Sequence, residues 1–152
     1  MNRIVEKTLL LPPITLAEMS GIKLMNRTDT KFVATIDQLQ EFLAAVHGKY
    51  YIQEIDGKRI ASYHTTYYDT DDYQMYNMHH AGRQVREKIR VRTYMDSDDT
   101  FFEIKNKNNR GRTKKRRTEI AHNDFHSFAD NATAMEFYKE NGRYAHETIS
   151  PA

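Results

Sequence analysis

The chain has no cysteine among its 152 residues, which excludes a disulfide framework and any metal site built on thiolates. That fits a reducing cytoplasm, the location expected here. Long apolar runs are missing too: the longest near the start, Thr8–Leu11, is followed by Pro12-Pro13. A membrane helix needs about 20 apolar residues, so neither a signal peptide nor an anchor is expected. There is no P-loop, no glycine-rich dinucleotide turn and no serine or cysteine nucleophile motif, and the nucleotide folds and covalent hydrolases marked by those motifs lose their support. Internal repeats and low-complexity segments are absent. This length suits one domain with a real core, expected over residues 1–152.

What is present is charge, unevenly placed. The net charge is only +2, yet residues 83–117 hold thirteen Lys and Arg against five Asp and Glu, so this stretch carries +8 and the remainder −6. Such asymmetry points to an anionic ligand. Within it, RQVREKIRVRTY sets Arg86, Lys88, Arg90 and Arg92 at every second position. A β-strand sends alternate residues to one face, so the four cations share a side and Ile89 and Val91 turn to an apolar one.

The same alternation recurs downstream. Thr100–Lys107 places Glu103, Lys105 and Lys107 opposite Phe102 and Ile104, and TKKRRTEI places Lys115, Arg117 and Glu119 opposite Ile120, with a turn at Asn108–Gly111 between them. Upstream, Lys23–Thr35 also alternates, with Arg27, Asp29 and Lys31 on one face, and is expected as a strand. A Thr15-x-x-Glu18 capping box predicts a short helix, and Asp37 is the expected N-cap of an apolar-striped helix through Leu39, Phe42, Leu43 and Val46 that ends near Gly48. Asp56-Gly57 predicts a hairpin between Tyr50–Ile55 and Arg59–Tyr68. Asp69 or Thr70 is expected to cap a short helix over Tyr73 and Tyr76. After the basic strands, Asp124, Phe125 and Phe128 and then a Thr133-x-x-Glu136 box predict a helical tail that stops at Asn141-Gly142 with no further strand.

One charged strand face is as readily a solvated surface as a site. Several in a row, mostly Arg and Lys, repel one another across strands unless an anion lies over them. Arg86, Lys88, Arg90, Arg92, Lys105, Lys107, Lys115 and Arg117 therefore form a candidate phosphate-binding surface, because Arg grips phosphate bidentately and Lys meets it as a point charge. A single-stranded nucleic acid binder would interleave stacking aromatics on that face. Only Tyr94 is in register there, with Phe101 at the strand's mouth, so phosphate is favoured and nucleic acid stays as the alternative. Glu103 and Asp29 either pair with neighbouring cations or hold a divalent ion against the phosphates. His79-His80 does not present both rings to one metal, and a surface or capping role is expected for it.

Taken in order, RTDTKF, YYDTDDYQMY, RQVREKIRVRTY and FFEIKNKNNRGRTKKRR resemble the VTC domain over residues 15–121. This is the polyphosphate polymerase branch of the CYTH and triphosphate tunnel metalloenzyme superfamily. The resemblance implies an α+β fold whose antiparallel sheet forms a tunnel barrel lined by Lys, Arg and Glu, with flanking helices. It implies that Lys31, Arg90, Arg92, Lys105, Lys115 and Arg117 match the family's basic positions, that Lys88 and Arg86 fit its bacterial pattern, and that Glu103 matches its glutamate. Polyphosphate, triphosphate or ATP would be the ligand, Mn²⁺ or Mg²⁺ the cofactor, and in a complete tunnel the γ-phosphoryl group of ATP would pass to a growing chain; a polyphosphate sensor without catalysis is the other reading. Arg27 and Asp29 stand where many superfamily members carry two glutamates. With residues 122–152 as a helical tail, the later tunnel strands are expected to be missing, so that the domain either self-associates through exposed strand edges, a second copy completing the wall, or binds its anion in an open cleft.

Overall fold

The computed structural model describes residues 2–19, 30–122 and 130–152. The chain divides into two compact units, Met1–Ala61 and Ser62–Ala152. Among the described residues, no helix is long and apolar enough to cross a membrane.

The first unit contains helix α1 (Asn2–Thr8), strand β1 (Pro13–Ile14), helix α2 (Leu16–Met19), helix α3 (Ile36–Ala45) and strand β2 (Ile52–Gln53). The expected capping box opens α2: the Thr15 N–H donates to Glu18 Oε2 at 2.8 Å, and the Glu18 N–H donates to Thr15 Oγ1 at 3.3 Å. The strand expected over 23–35 is not found in its described part. Residues 30–35 have no regular structure, Phe32 and Val33 are fully open to solvent, and Arg27 and Asp29 lie outside the described residues. A reciprocal capping box decides this segment. Thr35 Oγ1 accepts from the Gln38 N–H and Gln38 Oε1 accepts from the Thr35 N–H, which satisfies two orphan donors at once and places the cap of α3 two residues before Asp37, the expected one. Asp37 sits in the first helical turn, where its charge suits the dipole. Although α3 lies beside α1, it buries none of its residues, so its apolar stripe does not form the packed face expected of it.

The Asp56-Gly57 turn forms with both residues in the left-handed region, φ 48° and 74°, and Ile55 and Lys58 exchange backbone hydrogen bonds across it. The long hairpin does not follow. β2 pairs instead with β1 in parallel, and Arg59 leaves the strand path: its guanidinium donates to Glu54 and to the carbonyls of Thr8 and Leu11. Those carbonyls lie at and just past the end of α1, where helical partners run out.

The second unit is an open five-stranded antiparallel sheet with helices on it. Strand β3 (Tyr63–Thr70) leads through helix α4 (Gln74–His80) to β4 (Arg86–Tyr94), β5 (Thr100–Lys107) and β6 (Thr113–Ile120), followed by helix α5 (Ala132–Asn141) and strand β7 (Ile149–Pro151). The sheet order is β6-β5-β4-β3-β7. The three basic strands are where the alternation predicts them, and their apolar sides, Ile89, Val91, Phe102, Ile104 and Ile120, form the core with Tyr68, Met75, Ala134 and Tyr138. Phe102 meets Phe137 and Tyr138 edge to face. Gly142 follows α5 because a Cβ there would stand 2.5 Å from the Tyr138 ring.

Three expectations for this half are corrected. A further strand does follow the tail: β7 pairs with β3, and Ile149 joins the core. Helix α5 is capped by Asn131, whose side chain accepts from the Ala134 N–H, and Thr133 lies inside the first turn; Asn is a stronger cap than Thr. The barrel does not close among the described residues, since β6 and β7 remain unpaired edges. Five strands are too few to enclose a lined interior, which takes about eight. Asp124, Phe125 and Phe128 lie outside the described residues.

Candidate functional site

Register determines what the charged face brings together. Arg86 stands opposite Lys107; Lys88 stands opposite Lys105, which stands opposite Lys115; Arg90 stands opposite Glu103, which stands opposite Arg117; and Arg92 stands opposite Phe101. Neighbouring strands are about 4.8 Å apart, so the Lys88–Lys105–Lys115 row sets three lysine stems side by side, and Glu103 of the next row meets the ammonium of Lys115.

The next row holds the one acid at the centre of the face. Glu103 is fully buried and takes Arg90 on one oxygen, Nε at 2.6 Å and Nη2 at 2.5 Å from Oε2, and the Lys115 ammonium on the other. Oε1 has no well-directed hydrogen bond and is met by Lys115 as an ion pair. Burial alone would raise the Glu103 pKa, but Lys115 and Arg90 outweigh it and hold the carboxyl below its ordinary value. Arg90 is itself buried, and despite that burial its bonds to Glu103 and Tyr67 keep it firmly charged. Arg90 and Lys115 thus share Glu103 between them.

Around this pair the cations differ in how they are held. Arg92 donates to Thr65 Oγ1 at 2.9 Å and lies 4.0 Å over the Tyr63 ring, while Arg117 lies 4.2 Å over Phe101. Arg86 donates to the Arg83 carbonyl. Lys88 Nζ is 3.2 Å from His79 Nε2, and burial together with the charges of Lys88 and Arg86 pushes the His79 pKa down. Lys105, half-buried in the middle, has its pKa lowered by burial and by Arg90, against the pull of Glu103.

Lys31 lies in an irregular, exposed stretch of the first unit. Asp29 lies outside the described residues. The face also has members that alternation in the basic strands alone does not reveal. Tyr63, Thr65 and Tyr67 join it because β3 pairs with β4, setting Tyr67 opposite Arg90 and Thr65 opposite Arg92. Burial would raise the Tyr67 pKa, but the Arg90 hydrogen bond and the charges of Arg90, Lys88 and Arg92 bring it down. The signal was the period-two run Tyr63-x-Thr65-x-Tyr67; its partner strand was not readable. His79 enters the same way, carried to Lys88 by α4.

A wall of this kind neutralises closely spaced negative charge. A family model, the VTC domain, matches residues 26–150, which include all three basic strands, α4, α5 and the first two residues of β7. The chain belongs to the VTC domain family. Membership ties it to polyphosphate chemistry at the level of the family. No curated protein gives a significant match. Metal binding is the part of the VTC expectation that the described residues fit least: both Glu103 oxygens face cations, and no group of three His, Asp or Glu side chains gathers among the described residues.

Proposed function

We propose that the charged face of this VTC domain binds a condensed phosphate chain, either polyphosphate or the triphosphate of a nucleotide. The observation that carries this reading is the Lys88–Lys105–Lys115 row, three lysines in direct cross-strand register. Like charges placed this way destabilise a sheet, and an anion lying along the row removes that cost. Arg86 and Lys107 extend the surface at one end, and Arg92 and Arg117 at the other, where their aromatic partners hold them in place. A divalent ion, Mn²⁺ or Mg²⁺, would enter on the phosphate oxygens, as Mg²⁺ commonly does.

Lys105 is the residue that tests the proposal, because Arg90 also holds the fold. Lys105→Met removes the central cation and keeps the stem. Calorimetry with tripolyphosphate should show affinity reduced about tenfold or more, the loss of one charge-assisted contact, with the melting temperature unchanged or raised. Unaltered affinity would sink the reading. Tighter binding of a single-stranded oligonucleotide than of tripolyphosphate would replace it with the nucleic-acid sheet. Chain growth from ATP and Mn²⁺, lost in Lys105→Met, would make the protein a polymerase; binding without turnover would make it a sensor.

A further inference from the structure

His79 and Lys88 meet where the last turn of α4 reaches the cationic row, Nε2 to Nζ at 3.2 Å. A charged ammonium has only hydrogens to give, so Nε2 accepts, and the ring is neutral with its proton on Nδ1. Lys88 is thus held by a group that can itself become a cation. The ring is exposed, so protons reach it from solvent.

The surroundings keep the ring neutral while the row is empty. Lys88 and Arg86 bear on it from β4, Lys107 from β5 and His80 from α4, and together with burial they hold its pKa below the ordinary value. Two carboxylates, Asp69 and Asp72, share a cavity wall with His79 but are engaged elsewhere: Asp69 accepts the N–H groups of Met75 and Tyr76, and Asp72 accepts the Thr70 hydroxyl. The charges that bear most on the ring are positive. A phosphate chain along Lys88, Lys105 and Lys115 reverses this balance, because it sets negative charge beside the imidazole and competes for the Lys88 hydrogens that Nε2 accepts. With Lys88 turned to a phosphate oxygen, Nε2 can hold a proton and donate to the same anion.

We propose that His79 couples phosphate binding to proton uptake: the anion draws Lys88 off Nε2, and the imidazole takes a proton from solvent and adds a further cation to the row. The inference rests on the phosphate reading above and deepens it by naming what regulates that surface. Histidine suits the task, since its charge turns over between about pH 5 and 8. Uptake of a proton on binding makes affinity rise as pH falls through the raised pKa of the bound ring and level off below the depressed pKa of the free one. Mild acid therefore tightens the grip on phosphate, and alkali loosens it.

Two measurements on the full chain test the coupling. NMR titration of the imidazole signals, with and without saturating tripolyphosphate, reads each histidine directly, and the signal missing from His79→Gln identifies the ring. Its midpoint should move upward on binding, and further than that of His80, whose ring stacks on Tyr76. Calorimetry with tripolyphosphate at pH 8 and pH 6, at matched ionic strength, then compares the unsubstituted protein with His79→Gln. Glutamine keeps an oxygen to accept from Lys88 but takes no proton. Because tripolyphosphate is itself protonated in this range, the telling quantity is the ratio of the two proteins' affinities, in favour of the unsubstituted one. It should grow at least about fivefold from pH 8 to pH 6, the lower end of an ordinary coupling between sites. A His79 midpoint unmoved by tripolyphosphate, or the same affinity ratio at both pH values, overturns the coupling and leaves the phosphate surface standing. Absence of tripolyphosphate binding to the unsubstituted protein at both pH values overturns the phosphate reading and this one with it.

Discussion

Glu103 and Glu87 are both buried on β4 and β5, yet they answer opposite demands. Glu103, on the charged face, joins Arg90 and Lys115, and its carboxyl is held below the ordinary 4.5. Its contribution to stability is complete above that ordinary value and is lost as pH falls through the depressed one. Glu87, on the other face, accepts the Arg143 N–H at 3.1 Å on both oxygens; burial raises its pKa above 4.5 against these hydrogen bonds. Its ionised form therefore weakens the fold increasingly as pH rises from 4.5 through the raised value. Glu103→Gln should cost about 2–4 kcal/mol at pH 7, because it leaves a buried guanidinium without its counter-charge. Glu87→Gln should cost under about 1 kcal/mol, since the amide oxygen still accepts the N–H and no charge is buried. Urea titrations at pH 7 and at pH 4 check both: the gap between the native chain and Glu103→Gln should narrow in acid. Equal cost for the two substitutions at pH 7 would contradict the assignment.

Helix α4 is seven residues long, too short to hold itself in water. What holds it is the buried Asp69 carboxylate, which accepts N–H groups from Thr70, Met75 and Tyr76 at 2.8, 2.9 and 2.7 Å, with Thr70 Oγ1 accepting from Gln74. Asp69→Ala should cost about 2 kcal/mol, the upper end for a lost cap, and should free α4 before the sheet melts. Amide exchange would show it, with Met75 and Tyr76 losing protection while Ile89 and Phe102 keep theirs. The expectation that Asp69 or Thr70 caps this helix came from residue type alone; the helix starts later than expected, at Gln74 with Tyr73 as its N-cap residue, and both side chains reach forward to its first N–H groups. By contrast, the Lys23–Thr35 alternation was outcompeted in its described part by the Thr35–Gln38 box. A period of two is a weak signal where no sheet buries the other face, as the exposure of Phe32 and Val33 shows.

For the whole molecule, a sheet carrying so many cations on one face should gain stability from its ligand. Tripolyphosphate at a hundred times its dissociation constant supplies about 2.7 kcal/mol, which should raise the melting temperature of the sheet unit by roughly 10–20 °C. Sodium chloride at the same ionic strength should do much less, because screening is general and ligation is not. Equal shifts from the two would mean that the face is a solvated surface. Among the described residues, the open edges at β6 and β7 leave room for another strand.

The period of two determined the core and charged faces of β4, β5 and β6 without any help from tertiary structure, because side-chain direction in a strand follows from backbone geometry alone. The cluster of cations, and with it the call for an anion, was legible for the same reason. Strand neighbours were not. Whether Lys105 faces lysine or glutamate depends on register, which hairpin turns and packing set together, and only the folded sheet puts Lys88, Lys105 and Lys115 in one row and Arg90 against Glu103. Tyr67 and His79 reached the site through the pairing of β3 with β4 and the placing of α4 beside Lys88, contacts that no local pattern encodes.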